Sequence, residues 1–345
     1  MDALVDPSVD LVEWYHAQGF SDGLPVVPPT PEKLVTMLRA LGGEADLVEC
    51  RVPPRWGDLT RRVLAINLVM AGCTPAHAPV VRTAMLALSA PAFNLNGVQA
   101  TTHMAAPLLV VNGPIAHDIG MNAGANCFGS GNRANATIGR AIRLILLNVG
   151  GGWPGELDQA TLGHPGKYTY CIAENEAQSP FAPYHVDKGF DAQDSTVFVL
   201  AAEPPHSVTN HVANDPPGVL DSIVSAMSTI AHNNAVSSGH CAVVLGLEHA
   251  RTRHAAVGED LAHFTERRRL GFEQHSGRFR VAHDRAQGLP ELVRDGPSQL
   301  ADDRQALDMR ERAIAFLVGL AVGNVEHGPD ISEKFPVRSK ARCAH

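Results

Sequence analysis

The chain reads as an α/β protein made of two related α/β halves with mostly short, buried strands. Three observations lead to that class. Helix-period apolar segments alternate with short apolar runs over 108–112, 195–202 and 241–245. Glycine and proline flank these runs and hold them to strand length. The order helix, polar loop ending in His103, strand, Gly113-Pro114-Ile115-Ala116-His117 is also echoed later: a helix over 219–231, a polar loop ending in His240, a strand, then Gly246-Leu247-Glu248-His249-Ala250. That echo suggests an internal duplication.

The 345 residues accommodate three segments. They are an N-terminal extended segment and helix (1–58), a first α/β unit with a Gly/Asn-rich loop (59–205), and a second α/β unit ending in a polar segment (206–345). A net charge of −8 gives no electrostatic reason to expect nucleic acid or an anionic membrane as partner. No apolar run is long enough to span a bilayer. The first residues are acidic and lack the order of a signal peptide. Six scattered cysteines without a CxxC pair argue against a disulfide framework, so a cytoplasmic setting is expected. A homo-oligomer, most simply a homodimer, is the default for such a protein.

The elements follow in order. A short helix covers 9–18, and the Gly- and Pro-rich stretch 19–30 then takes an extended, turn-bounded path. In it Asp22 either caps a turn or reaches a site. Thr30 as N-cap and Pro31 as first helical residue open a helix that ends near Gly42. Helices over 59–71 and 75–88 precede a polar loop, 93–103, and the buried strand 108–112. The glycine- and asparagine-rich stretch 121–152 comes next, with Asn135 as N-cap of a helix carrying Ile138, Ile142, Ile145 and Val149 on one face. Residues 167–176 alternate as a strand, with Tyr168, Tyr170, Ile172, Glu174 and Glu176 on one side. A charged helix over 259–275, a loop-rich polar segment and a buried element over 309–322 complete the chain.

Four clusters could carry chemistry. Strand, glycine loop and helix N-terminus form a cradle suited to a carboxylate, phosphate or enolate oxygen. Asn122, Asn126, Ser130, Arg133, Asn135, Thr137 and Arg140 are its candidate substrate-binding residues; the alternative is a tight connection whose Gly and Asn only satisfy backbone. The glycine loop before the helix, 121–135, has no GxGxxG or GxxxxGK[ST] spacing, so no nucleotide cofactor is expected. Glu174 and Glu176, two residues apart with His185 nearby, can share a proton or raise one pKa toward neutrality; an exposed strand end paired with arginine is the alternative. His103, beside Thr101 and Thr102 at a strand entry, is a further proton-transfer candidate or else a hydrogen-bonded loop residue. Cys241, with Glu248-His249 behind it, is either reactive or a small buried hydrophobe. The 17 histidines form no HExxH or HxH pair, so no metal ligands are assigned, while a divalent metal cofactor stays open.

Asp22-Gly23-Leu24-Pro25-Val26-Val27-Pro28-Pro29-Thr30, Gln99-Ala100-Thr101-Thr102-His103, Arg133-Ala134-Asn135-Ala136-Thr137-Ile138-Gly139-Arg140 and Ala173-Glu174-Asn175-Glu176 resemble a family of largely uncharacterised bacterial proteins associated with, or fused to, UGSC-type (seleno)protein domains. The likeness covers about residues 20–250. It implies a UGSC-type protein as a partner, but the cysteine or selenocysteine of the UGSC motif has no counterpart here.

The expected function is an enzyme of small-molecule metabolism, of lyase or hydrolase type. Glu174 or Glu176 and His103 or His185 would exchange protons with a small carboxylate- or phosphate-bearing substrate. The alternatives are a non-catalytic partner subunit of a UGSC-type redox protein and a thiol-dependent oxidoreductase working through Cys171 or Cys127.

Overall fold

A computed structural model describes residues 9–227 and 242–254. Helices and strands intermix along the chain, as in an α/β fold. Two compact units are present: of the described residues, 9–177 and 182–205 form the first, and the rest form the second.

The first unit begins with α1 (Leu11–Ala17), capped by the Asp10 carboxylate on the Val12 N–H. α2 (Pro31–Leu41) starts at Thr30-Pro31 and stops at Gly42, as its cap residues dictate. A hairpin that hydropathy did not reveal follows, β1 (Val48–Val52) antiparallel to β2 (Gly57–Thr60). Its strands expose Arg51 and Asp58 along with Val48 and hold only Val52 and Leu59 fully inside, so no apolar run marks them. Arg61 and Arg82 both pair with the buried Glu49 carboxylate beside it.

α3 (Arg61–Ala71) is capped by the Thr60 hydroxyl on the Val63 N–H and closed by Gly72 in the left-handed region. A 3-10 turn, Pro75–His77, leads into α4 (Ala78–Leu88). The polar loop after it contains a short helix, α5 (Leu95–Gln99). The central strand β3 (Ala106–Asn112) and a one-turn helix, α6 (Pro114–Asp118), come next. α7 (Arg133–Asn148) is the longest described helix of the unit.

β3 lies between β4 (Cys171–Ala173), which is parallel to it, and β5 (Thr196–Ala202), which is antiparallel. Alternation along β3 splits its side chains between two apolar clusters. Leu109 and Val111 join Val197, Val199 and Cys171 in the main core with α2, α3, α4 and α7, while Ala106 and Leu108 meet Tyr170 and Ile172 in a smaller one. Ile138, Ile142, Leu144 and Ile145 of α7 are 2 % exposed or less. Shortening any of them to alanine would cost about 2–5 kcal/mol.

The strand expected over 167–176 is shorter than its alternation implies. Pro165–Lys167 is a 3-10 turn, and only Cys171–Ala173 pairs as a strand. Thr169 explains the difference, because its hydroxyl donates to the Asn135 and Ala136 carbonyls of α7 and ties the segment to that helix. α8 (Tyr184–Asp187) links the carboxylate segment to β5.

In the second unit α9 (Pro216–Met227) buries Val219, Leu220 and Ile223. Asn210 braces its start, donating to Gly218 O and Ser222 Oγ. A helix over Leu247–His254 is the last described element. Residues 242–245 carry no strand, and Cys241 lies outside the described residues. The segments expected as helix over 259–275 and as buried element over 309–322 lie outside them too, with most of the ground for a duplication. Among the described residues, no helix is long and apolar enough to cross a membrane.

Candidate functional site

The parallel pair β3 and β4 ends with both carboxyl termini at the same edge of the sheet. In open α/β sheets that edge is where ligands bind. Asn112 is the last residue of β3, and Glu174 and Glu176 follow directly on β4. Their separation is small because the Glu174 N–H continues the ladder to Val111 O.

Asn112 is wholly buried, and its amide nitrogen donates to Glu174 Oε2 and, at 3.0 Å, to Glu176 Oε1. The Gly113 N–H adds a 2.7 Å bond to Glu176 Oε1, and the Tyr184 N–H a 2.9 Å bond to Glu174 Oε2. Gly113 must be glycine: its φ is 84°, and a Cβ there would lie 2.1 Å from Asp194 O. His185, on the one-turn helix α8, is 1 % exposed and brings Nδ1 to 3.6 Å from Glu176 Oε1, beyond hydrogen-bond reach. Neither ring nitrogen of His185 has a hydrogen-bond partner, and neither does Asn112 Oδ1.

The surroundings perturb Glu174. Burial raises the Glu174 pKa, and the neighbouring charge of Glu176 adds to the rise against the opposing bonds from Tyr184 and Asn112. The Glu176 side chain keeps about a quarter of its surface exposed. One carboxyl is thus biased toward its neutral form beside another that is partly exposed.

Glu174, Glu176 and His185 therefore come together. His103 does not join them. Its Nε2 pairs at 2.9 Å with Glu203 Oε1, beyond the opposite end of β3. Seven strand residues separate the two ends by about 20 Å, so His103 cannot share a substrate atom with the carboxylates. Strand direction, invisible in a local motif, is the reason.

The asparagine-rich loop also differs from expectation. Asn132, not Asn135, caps α7, accepting the Asn135 N–H on its side chain. The Asn135 side chain, 3 % exposed, accepts from the Asn122 N–H and donates to the Asn122 and Cys127 carbonyls. Asn122 donates to Ala125 O and accepts the Gly124 N–H. Asn126 donates to the Ser130 carbonyl. Arg133 grips Gly72 O, the open carbonyl at the end of α3, through two nitrogens. Thr137 donates to Arg133 O, and Arg140 forms a two-pronged pair with Asp22 at 2.9 and 2.7 Å. The side chains of Asn122, Asn126, Arg133, Asn135, Thr137 and Arg140, expected to bind substrate, are engaged in bracing the fold, and Ser130 joins the loop through its backbone carbonyl. Asp22 is the structural partner of Arg140.

Thiol chemistry finds no support in this region. Cys73 and Cys171 are buried, which pushes the Cys73 thiol up to about 12 and Cys171 higher still; burial raises Cys50 and Cys127 as well. Cys241 lies outside the described residues. Among those residues, no group of three or more His, Cys, Asp or Glu side chains is arranged to hold a metal ion.

Asn112, Gly113 and the Tyr184 N–H are the site members that motif reading missed. An asparagine closing an apolar strand before Gly-Pro looks like a turn residue, and only the register of β3 against β4 places it between two carboxylates. No protein-family model, curated protein or solved structure matches this chain.

Proposed function

We propose that this chain is an enzyme of small-molecule metabolism, of lyase or hydrolase type, whose acid–base centre is Glu174, Glu176 and His185. One observation carries the reading. A single buried amide bridges two carboxylates beside a buried imidazole with neither nitrogen hydrogen-bonded, at the carboxyl edge of a parallel strand pair. Buried polar groups without partners are costly to fold around and are retained where chemistry uses them.

Roles follow from environment. Glu176, the more accessible carboxylate, acts as the general base that takes a proton from substrate or water. Glu174, whose protonated form burial favours, acts as the general acid toward the leaving oxygen. His185 lies next to Glu176 and orients or relays that proton. Such a pair suits elimination, hydration or hydrolysis of a small carboxylate- or phosphate-bearing compound.

The test is turnover of a panel of small hydroxycarboxylates, amides and phosphate monoesters by the full chain. For a compound that is turned over, Glu174→Gln and Glu176→Gln should each lower kcat by about a hundred- to ten-thousand-fold. Their far-ultraviolet circular dichroism should match the parent. His103→Ala, at the other end of β3, should leave kcat within about twofold. No turnover of any class by the full chain, or full activity in both Gln variants, overturns the reading.

A further inference from the structure

The N–H bonds that reach the carboxylate pair fall on only two of its oxygens. Glu174 Oε2 accepts from Asn112 Nδ2 and, at 2.9 Å, from the Tyr184 N–H. Glu176 Oε1 accepts from the same Asn112 nitrogen at 3.0 Å and from the Gly113 N–H at 2.7 Å. Among the described residues, none donates to Glu174 Oε1 or Glu176 Oε2. An oxygen that holds two N–H bonds has both lone pairs engaged and resists a proton. A proton on Glu174 therefore sits on Oε1, and a proton taken by Glu176 goes to Oε2.

Asn112 is the member of this set that touches both carboxylates. Its amide is wholly buried, both N–H bonds are spent on the pair, and Oδ1 has no partner. The nitrogen stands between two oxygens that would otherwise meet. Acceptors on the two protons of one amide are about 5 Å apart. A carboxyl and a carboxylate without such a spacer close to about 2.6 Å and share one proton. His185 faces the same pair, with Nδ1 3.6 Å from the clamped Glu176 Oε1. Burial, and then the charge of Glu176, raises the Glu174 pKa with the amide in place.

We infer that Asn112 is the positioning residue of the acid–base centre, a spacer that keeps Glu174 and Glu176 from sharing a proton and leaves Glu174 Oε1 and Glu176 Oε2 as the reacting atoms. This role rests on the acid–base reading of the pair. Glu174 Oε1 gives its proton to the leaving oxygen, and Glu176 Oε2 takes one from substrate or water. The pair thus carries one proton before the step and one after it.

Titration of the full chain, followed by NMR of the glutamate carboxyl carbons and of the asparagine side-chain amides, tests this with Asn112→Leu beside the parent. In the parent the two Nδ2 protons of Asn112 should exchange slowly with water and shift as Glu174 and Glu176 titrate. Asn112→Leu keeps the volume, and each carboxylate keeps one backbone donor, from Tyr184 or Gly113. Its pair should titrate in two coupled steps whose separation exceeds that of the parent by at least about one pH unit. For a compound that is turned over, the bell-shaped pH profile of kcat should widen on both limbs while its height falls about a hundredfold. A merely structural loss would lower the height without widening the bell. Unchanged separation of the two titrations in folded Asn112→Leu overturns the proposal. So do Asn112 Nδ2 protons that exchange freely in the parent, a measurement that decides even where the variant does not fold. Neither titration needs a substrate, so an inactive chain sinks the acid–base reading separately from the spacer.

Discussion

Asn112 has two amide protons, and a carboxylate accepts each of them. That fact places Glu174 against Glu176, whose negative charge adds to the rise in the Glu174 pKa. The folded chain holds the Glu174 proton more tightly than the unfolded chain, because burial and the nearby like charge disfavour its anion. Its contribution to stability is therefore complete below the ordinary glutamate pKa and declines as pH rises through the raised folded value. Glu174→Gln mimics the neutral form and still accepts from Asn112 and Tyr184. Stability measured by denaturant titration from the acid range to neutrality should thus fall less with rising pH in this variant than in the parent. Equal slopes would mean that Glu174 titrates normally in the folded chain. The pair Glu174 and Glu176, with His185 close behind, was legible from spacing alone. Asn112 was not, because the chemistry of an asparagine at a strand end depends on which strand lies beside it.

At the scale of elements, the helices were the most readable part. Thr30-Pro31 and Gly42 bound α2 as cap residues should, and the apolar face of α7 is the one that the 3.6-residue period picks out. Less readable were elements whose identity depends on distant partners. The β1–β2 hairpin hides behind charged exposed positions, and the segment before β4 alternates like a strand yet is bonded to α7 through Thr169. The abundant asparagine in the loop before α7 meets the backbone groups that a tight loop must satisfy, which the sequence does not distinguish from a ligand site. Arg140 shows the same substitution of bracing for binding. Its guanidinium pairs with the Asp22 carboxylate, only 3 % exposed, and also donates to Leu24 O, fastening the N-terminal turn to α7. Arg140→Ala would leave a buried carboxylate uncompensated, at a cost of about 3–5 kcal/mol. Arg140→Lys, keeping the charge but not the two-pronged geometry, should lose less. Chemical denaturation of both variants checks the order, and Arg140→Ala at parental stability would show that Asp22 finds water instead.

For the molecule as a whole, pH acts on the first unit from two sides. Glu174 removes stability as pH rises, while His77 removes it as pH falls. His77 is buried where the Pro75–His77 turn enters α4, and its Nδ1 accepts the Thr74 N–H at 3.3 Å, close to the Thr137 hydroxyl of α7. Desolvation, with the positive charge of Arg133 nearby, lowers its pKa from 6.5 to about 4. A proton on Nδ1 would remove the acceptor of the turn and place a cation among α3, α4 and α7. Between the two values the unfolded chain binds the proton and the folded chain does not, so stability is complete above pH 6.5 and declines as pH falls toward about 4. The loss from this one group is up to about 3 kcal/mol. His77→Asn retains an acceptor for Thr74 but takes no proton. Its melting temperature should start below that of the parent at neutral pH, because the ring packing is lost, and then fall less steeply between pH 6.5 and 4. A parallel acid limb in the two proteins would assign that limb to other groups and leave His77 as packing alone.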